Sequence, residues 1–64
     1  MRVGDRVKVY VQQGNSYTFY IGNLKQILGD IVLTDAICGM GGEETYKEVQ
    51  LSNRFVISVA VLEA

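Results

Sequence analysis

Two hydrophobic patterns run through this chain. In Arg6-Val7-Lys8-Val9-Tyr10-Val11 the alternation is strict, with Val7, Val9 and Val11 on one side and Arg6, Lys8 and Tyr10 on the other. A period of two marks a half-buried strand. Residues 45–51 (Thr-Tyr-Lys-Glu-Val-Gln-Leu) repeat it, with Lys47, Val49 and Leu51 sharing a side. The second pattern has no polar face. Asp30-Ile31-Val32-Leu33-Thr34-Asp35-Ala36-Ile37 sets Ile31 and Leu33 against Val32, Ala36 and the Thr34 methyl. Residues 55–62 set Phe55, Ile57, Val59 and Val61 against Val56, Ala60 and Leu62. Both stretches predict strands that need cover on two sides.

Between them, Gln12 to Ser16 reads as a turn, and Tyr17-Thr18-Phe19-Tyr20-Ile21 as a further strand rich in aromatic and β-branched residues. Gly22 follows directly, where a bend or bulge lets one long strand serve two walls. Cys38 to Glu44 is a glycine-dense connector and Ser52-Asn53-Arg54 a short polar turn. The prediction is five strands and no amphipathic helix. Short connections between consecutive strands favour antiparallel pairing, and a small, strongly bent antiparallel barrel over residues 1–64 is the expected all-β fold. A barrel interior uses one face of each strand. The leftover apolar faces of 31–37 and 55–62 predict self-association, with 55–62 as an exposed edge. Concealment of those faces by sheet curvature within a monomer is the alternative.

Composition narrows the chemistry. The chain has 64 residues, no histidine and one cysteine, Cys38, so neither an internal disulfide nor a zinc cluster can support the core. A domain of this size buries only about 60% of its unfolded surface. The net charge of −1 gives no overall attraction to a polyanion. Without a histidine base, a triad or carboxylates set across a cleft, an enzyme is not expected, nor any cofactor or metal. Gly39-Met40-Gly41-Gly42 lacks the Lys-Ser/Thr of a phosphate loop. The N-terminus has no apolar leader and no segment is long and apolar enough to span a bilayer, so a cytoplasmic protein without a membrane partner is expected.

Three stretches carry a family resemblance. They are G-D-R-V-K-V-Y-V-Q-Q-G (4–14) followed by G-N-L (22–24), I-V-L-T-D-A (31–36), and V-Q-L-S-N-R-F-V-I-S-V (49–59). Together they resemble the two motifs of the Sm-like (LSm/Hfq) proteins over nearly the whole chain after Gly4. The resemblance implies a bent five-stranded barrel, SH3-like in build. It also implies a cyclic homo-oligomer in which the fourth strand of one subunit pairs with the fifth of the next. Tyr46, Val49, Leu51, Val56, Ser58, Ala60 and Leu62 would then lie at the interface. Many members bind single-stranded, uridine-rich RNA at loops around the pore, which here places Lys25, Asp30, Asn53 and Arg54 as candidate contacts.

This chain departs from the family where bases are read. The usual N-terminal helix is missing. Asp30 stands in place of an Asn, and Ser52-Asn53 in place of Arg-Gly. An acid repels phosphate, and a serine cannot stack on a base as an arginine does. Three functions follow as expectations: a ring binding single-stranded RNA, a ring that serves as a structural or protein-interaction module without RNA, and a monomeric SH3-like adaptor. Asp30 reads either as a pore-facing contact or as a turn residue capping its own backbone, and Asp35 as the anchor of a turn or strand end. Tyr17, Phe19, Tyr20 and Phe55 are expected in the core or an interface. Tyr10 and Tyr46 are the expected exposed aromatic contacts.

Overall fold

The computed structural model describes residues 1–39 and 45–63. Five strands are present: β1 (Arg6–Gln13), β2 (Ser16–Gln26), β3 (Ile31–Cys38), β4 (Thr45–Leu51) and β5 (Val56–Glu63). A single 3₁₀ turn, Asn53–Phe55, joins β4 to β5. The strands form one sheet in the order β4-β3-β2-β1-β5, with every pairing antiparallel. Within the chain β4 and β5 are therefore the two edges. Met40 to Glu44 of the glycine-dense connector lie outside the described residues.

The β1–β2 hairpin sets the parity of the whole sheet. Val7, Val9 and Val11 are buried, so Lys8 and Tyr10 stand on the other face. The register pairs Tyr10 with Phe19 and Val11 with Thr18. Phe19 and Tyr17 are thereby carried outward, while Thr18, Gly22 and Leu24 are buried and Tyr20 packs on the core. Of the two places expected for Phe19 and Tyr17, the core or an interface, the core is excluded within the chain for this reason. A strand has one inner face, and the valines of β1 fix which one it is.

Gly22 does mark a bulge. Between Ile21↔Ile37 and Asn23↔Thr34 the β2–β3 register slips, so Asp35 and Ala36 of β3 face Gly22 alone. Asp35 adopts φ 50°, a left-handed conformation that one type of bulge uses to take up its extra residue. Leu33 and Ala36, three apart, are consequently both 0% exposed. A second slip, between Leu24↔Leu33 and Gln26↔Val32, leaves Lys25 as the extra residue on β2. These irregularities bend β2 and β3 strongly. Leu51 at the end of β4 joins the same core cluster as Val7, Val9 and Val11 of β1, although β3 and β2 lie between them. The curl also buries Ile31, Val32, Leu33 and Ala36 inside one chain, so β3 needs no neighbour to cover it.

A side chain at Gly22 has no room, because its Cβ would sit 3.0 Å from the Cβ atoms of Ala36 and Leu33 and from the Thr34 carbonyl oxygen. Gly22→Val should cost about 1–3 kcal/mol of stability by overpacking, read from the denaturation midpoint. At the facing bulge, Asp35→Asn should be neutral and Asp35→Val should cost about 1–2 kcal/mol, since a β-branched residue resists positive φ. Equal stability of the two Asp35 variants would contradict the bulge assignment.

Candidate functional site

Two connections meet at one end of the sheet, and their polar groups interlock. The β2–β3 turn is closed by Gln26, whose Nε2 donates to the carbonyls of Leu28 (3.1 Å) and Asp30 (3.2 Å), with Gly29 at φ 76° completing it. Asp30 turns away from its own loop. Its Oδ2 accepts from Gln50 Nε2 at 2.8 Å, and its Oδ1 accepts from the Asn53 backbone N–H at 3.4 Å. The 3₁₀ turn itself is closed by Phe55 N–H donating to the Ser52 carbonyl at 3.0 Å. The Asp30 carboxylate thus caps a different connection, tying the β2–β3 turn to the link between the two edge strands.

Of the four candidate RNA contacts, the fold brings Asp30 and Asn53 together. Arg54 stands beside them with its guanidinium carbon 6.0 Å from the Phe55 ring centre. Lys25 is used elsewhere, because its Nζ pairs with Glu48 Oε1 of β4 at 2.5 Å. Both of those side chains are more than half exposed, so the pair contributes little stability, but it occupies the lysine. A cavity of about 320 Å³ opens beside the cluster, lined by Val11, Gln12, Gln13, Tyr20, Val49, Gln50, Leu51, Ser52 and Phe55. Its polar side chains are three amides and the hydroxyls of Ser52 and Tyr20, which recognise by hydrogen bonding. Among the described residues no group of three His, Cys, Asp or Glu is placed to hold a metal, and no helix is long and apolar enough to cross a membrane.

The candidate interface residues divide by burial. Leu51 belongs to the chain's own core, and Val49 and Val56 pack against it. Tyr46, Ser58, Ala60 and Leu62 are exposed. Alternation along 55–62 alone misses two prominent residues of this edge, Ile57 and Val61, which are 53% and 46% exposed. The β1–β5 register slips between Tyr10 and Val11, so both Val56 and Val59 reach the core while Ile57, between them, does not. A run that is apolar on both faces was the available signal; the slip decides which residues stay outside.

Asp30→Ala removes both acceptors of the clamp and should cost about 1–2 kcal/mol, measured as a fall in the denaturation midpoint. Asp30→Asn keeps one acceptor oxygen and should cost less than half of that. If Asp30→Ala matches the unsubstituted protein, the clamp is ornamental.

Compared with known proteins, this chain matches no family model, no curated protein and no solved structure.

Proposed function

We propose that this chain is the subunit of an Sm-like ring, a non-enzymatic scaffold whose bent sheet completes its barrel and closes its edges through copies of itself. The observation that carries this reading is the pair of free edges, with β5 bearing Ile57, Val61 and Leu62, each about half exposed. A long apolar edge strand left open invites pairing with another chain. Pairing β5 of one copy with β4 of the next is a head-to-tail contact, which closes into a ring when the rotation per subunit divides the circle. The strong bend of β2 and β3 supplies a rotation between the two edges. Burial of β3 within the monomer leaves β5 as the surface that drives assembly.

Binding of single-stranded RNA is the second reading. It is supported by the exposed Asn53 and Arg54 beside Asp30 on one connection. Against it stand the engaged carboxylate of Asp30 and the loss of Lys25 to Glu48. A scaffold that works through protein contacts is the reading these interactions favour.

Light scattering should give a mass several times the chain's 7.1 kDa. Ile57→Glu combined with Leu62→Glu, placing charge on the edge, should return a mass near 7.1 kDa with the sheet still folded by circular dichroism. A mass near 7.1 kDa for the unsubstituted protein overturns the ring and leaves the monomeric adaptor. Filter binding to uridine-rich and adenine-rich oligomers at two salt concentrations tests the second reading. The scaffold reading expects no retention, and salt-sensitive retention that Arg54→Ser abolishes would establish RNA on that turn.

A further inference from the structure

The inner sides of three strands converge on the cavity beside the β4–β5 connection. Val11 and Gln13, two apart in β1, share the side that faces the core. Tyr20 stands across the hairpin from Val9 and points the same way. Val49 and Leu51 do so from β4, opposite Leu33 and Ile31. Ser52 and Phe55 line the cavity from the connection. Its floor is the core itself, since Val11 and Leu51 belong to the buried cluster and Val49 packs against it. Two aromatic rings stand beside that floor. Tyr20 is braced by Tyr46, with ring centres 6.5 Å apart and planes at 66°, while Phe55 is left 53% exposed. The volume, about 320 Å³, lies at the small end of the range of ligand sites.

The polar groups of this lining are uncharged. Among the described residues no Lys, Arg, Asp or Glu lines the cavity. The Gln13 amide, the Ser52 hydroxyl and the Tyr20 hydroxyl take no part in the side-chain hydrogen bonds among the described residues. The other two amides are committed. Gln12 Nε2 donates to the Gly14 carbonyl at 3.3 Å, and Gln50 Nε2 to Asp30 Oδ2 at 2.8 Å. Alternation also sets Gln12 and Gln50 on the outer side of their strands, next to the buried Val11 and Leu51. Gln13 is therefore the amide that the inner side presents, with its donor and its acceptor both available.

We infer that this cavity binds a small, uncharged aromatic carboxamide. The ring rests on Val11, Val49 and Leu51, against Phe55 and Tyr20. A carboxamide carries one carbonyl acceptor and one NH₂ donor, the same pair that Gln13 offers, so two amides set side by side exchange two hydrogen bonds. The hydroxyls of Ser52 and Tyr20 serve the remaining lone pair and N–H. Charged ligands fit less well. A carboxylate or an ammonium would leave water for a lining without a counter-ion, which costs more than moving a neutral polar group. A base within an RNA strand brings phosphates, and no cation lines the cavity to receive them. A plain hydrocarbon leaves Gln13 unused. The inference goes beyond the ring reading. Edge pairing uses the backbone of β4 and the side chains of β5, whereas this site is built on the inner sides of β1, β2 and β4 and on the connection.

Titration of the isotope-labelled protein with benzamide, followed through its amide chemical shifts, tests the site. Saturable shifts should appear at the Gln13 side-chain NH₂ and at the backbone N–H groups of Leu51, Ser52 and Phe55. Benzoate has the same shape with a charge and should bind at least about tenfold more weakly. Gln13→Leu, at an exposed position, should weaken benzamide about fivefold, as expected for loss of hydrogen bonds between neutral groups, and should leave toluene unaffected. Phe55→Ala should weaken benzamide and toluene alike. No saturable shift up to about 10 mM benzamide, the weak end for a molecule of this size, overturns the proposal. Equal binding of benzoate, or indifference to Gln13→Leu, does the same. Tighter binding of uridine at these residues also overturns it and assigns the cavity to a nucleobase. The combined Ile57→Glu and Leu62→Glu variant, altered outside the cavity, should bind benzamide unchanged; loss of binding there overturns a site complete within one chain. Mass alone decides the ring, so a protein of monomeric mass that binds benzamide rejects the ring and keeps this site.

Discussion

The meeting of Gly22 with the bulged pair Asp35 and Ala36 is the constraint on which the rest of this sheet depends. A five-stranded antiparallel sheet of this length cannot bury a core while flat. A Cβ at Gly22 would meet three neighbouring atoms at 3.0 Å, so only glycine leaves β3 room to approach, and the positive φ of Asp35 places Leu33 and Ala36 on one inner face. The bulge increases the bend, and the bend brings β4 back toward β1. Leu51 then shares a core with Val7, Val9 and Val11, and a small chain whose single cysteine cannot form an internal disulfide acquires one continuous hydrophobic cluster.

The same bend distributes the apolar surface unevenly. β3, flanked by β2 and β4, has Ile31, Val32, Leu33 and Ala36 buried, whereas β5 has a strand on one side only and keeps Ile57, Val61 and Leu62 half in water. Curvature therefore resolves the problem of two apolar faces for the central strand and leaves it unresolved for the last. That asymmetry, rather than total hydrophobicity, singles out β5 as the surface proposed for self-association. The connection between the two edges is also the one that Asp30 clamps, so the polar cluster at the end of the sheet and the geometry of the edges are mechanically linked.

Polar residues here carry more than one reading, and their partners decide between them. Asp30 was legible in the sequence as an acid at a turn, either open to a ligand or capping its own loop. It does neither alone, because its oxygens accept from Gln50 and from the Asn53 backbone some twenty positions on, at sequence separations of 20 and 23. Lys25 read as a free cation near the supposed pore, yet its partner Glu48 lies two strands away in the sheet. Lys8 read only as the polar phase of an alternating strand. Its place over Phe19 and Tyr10 is a cross-strand fact, set by the hairpin register.

Local pattern determined the all-β class, the count of strands, the run of Thr45–Leu51 and the special position of Gly22, because these rest on periodicity and backbone permissiveness carried by the residues themselves. It also determined that 55–62 is apolar on both sides. Only the tertiary structure decided which face of β2 is inside, that Asp35 is a bulge residue, and that β3 is covered within the chain while β5 is not. Each of these depends on which strand lies beside which and in what register, and a shift of one position exchanges inner for outer side chains without changing the sequence.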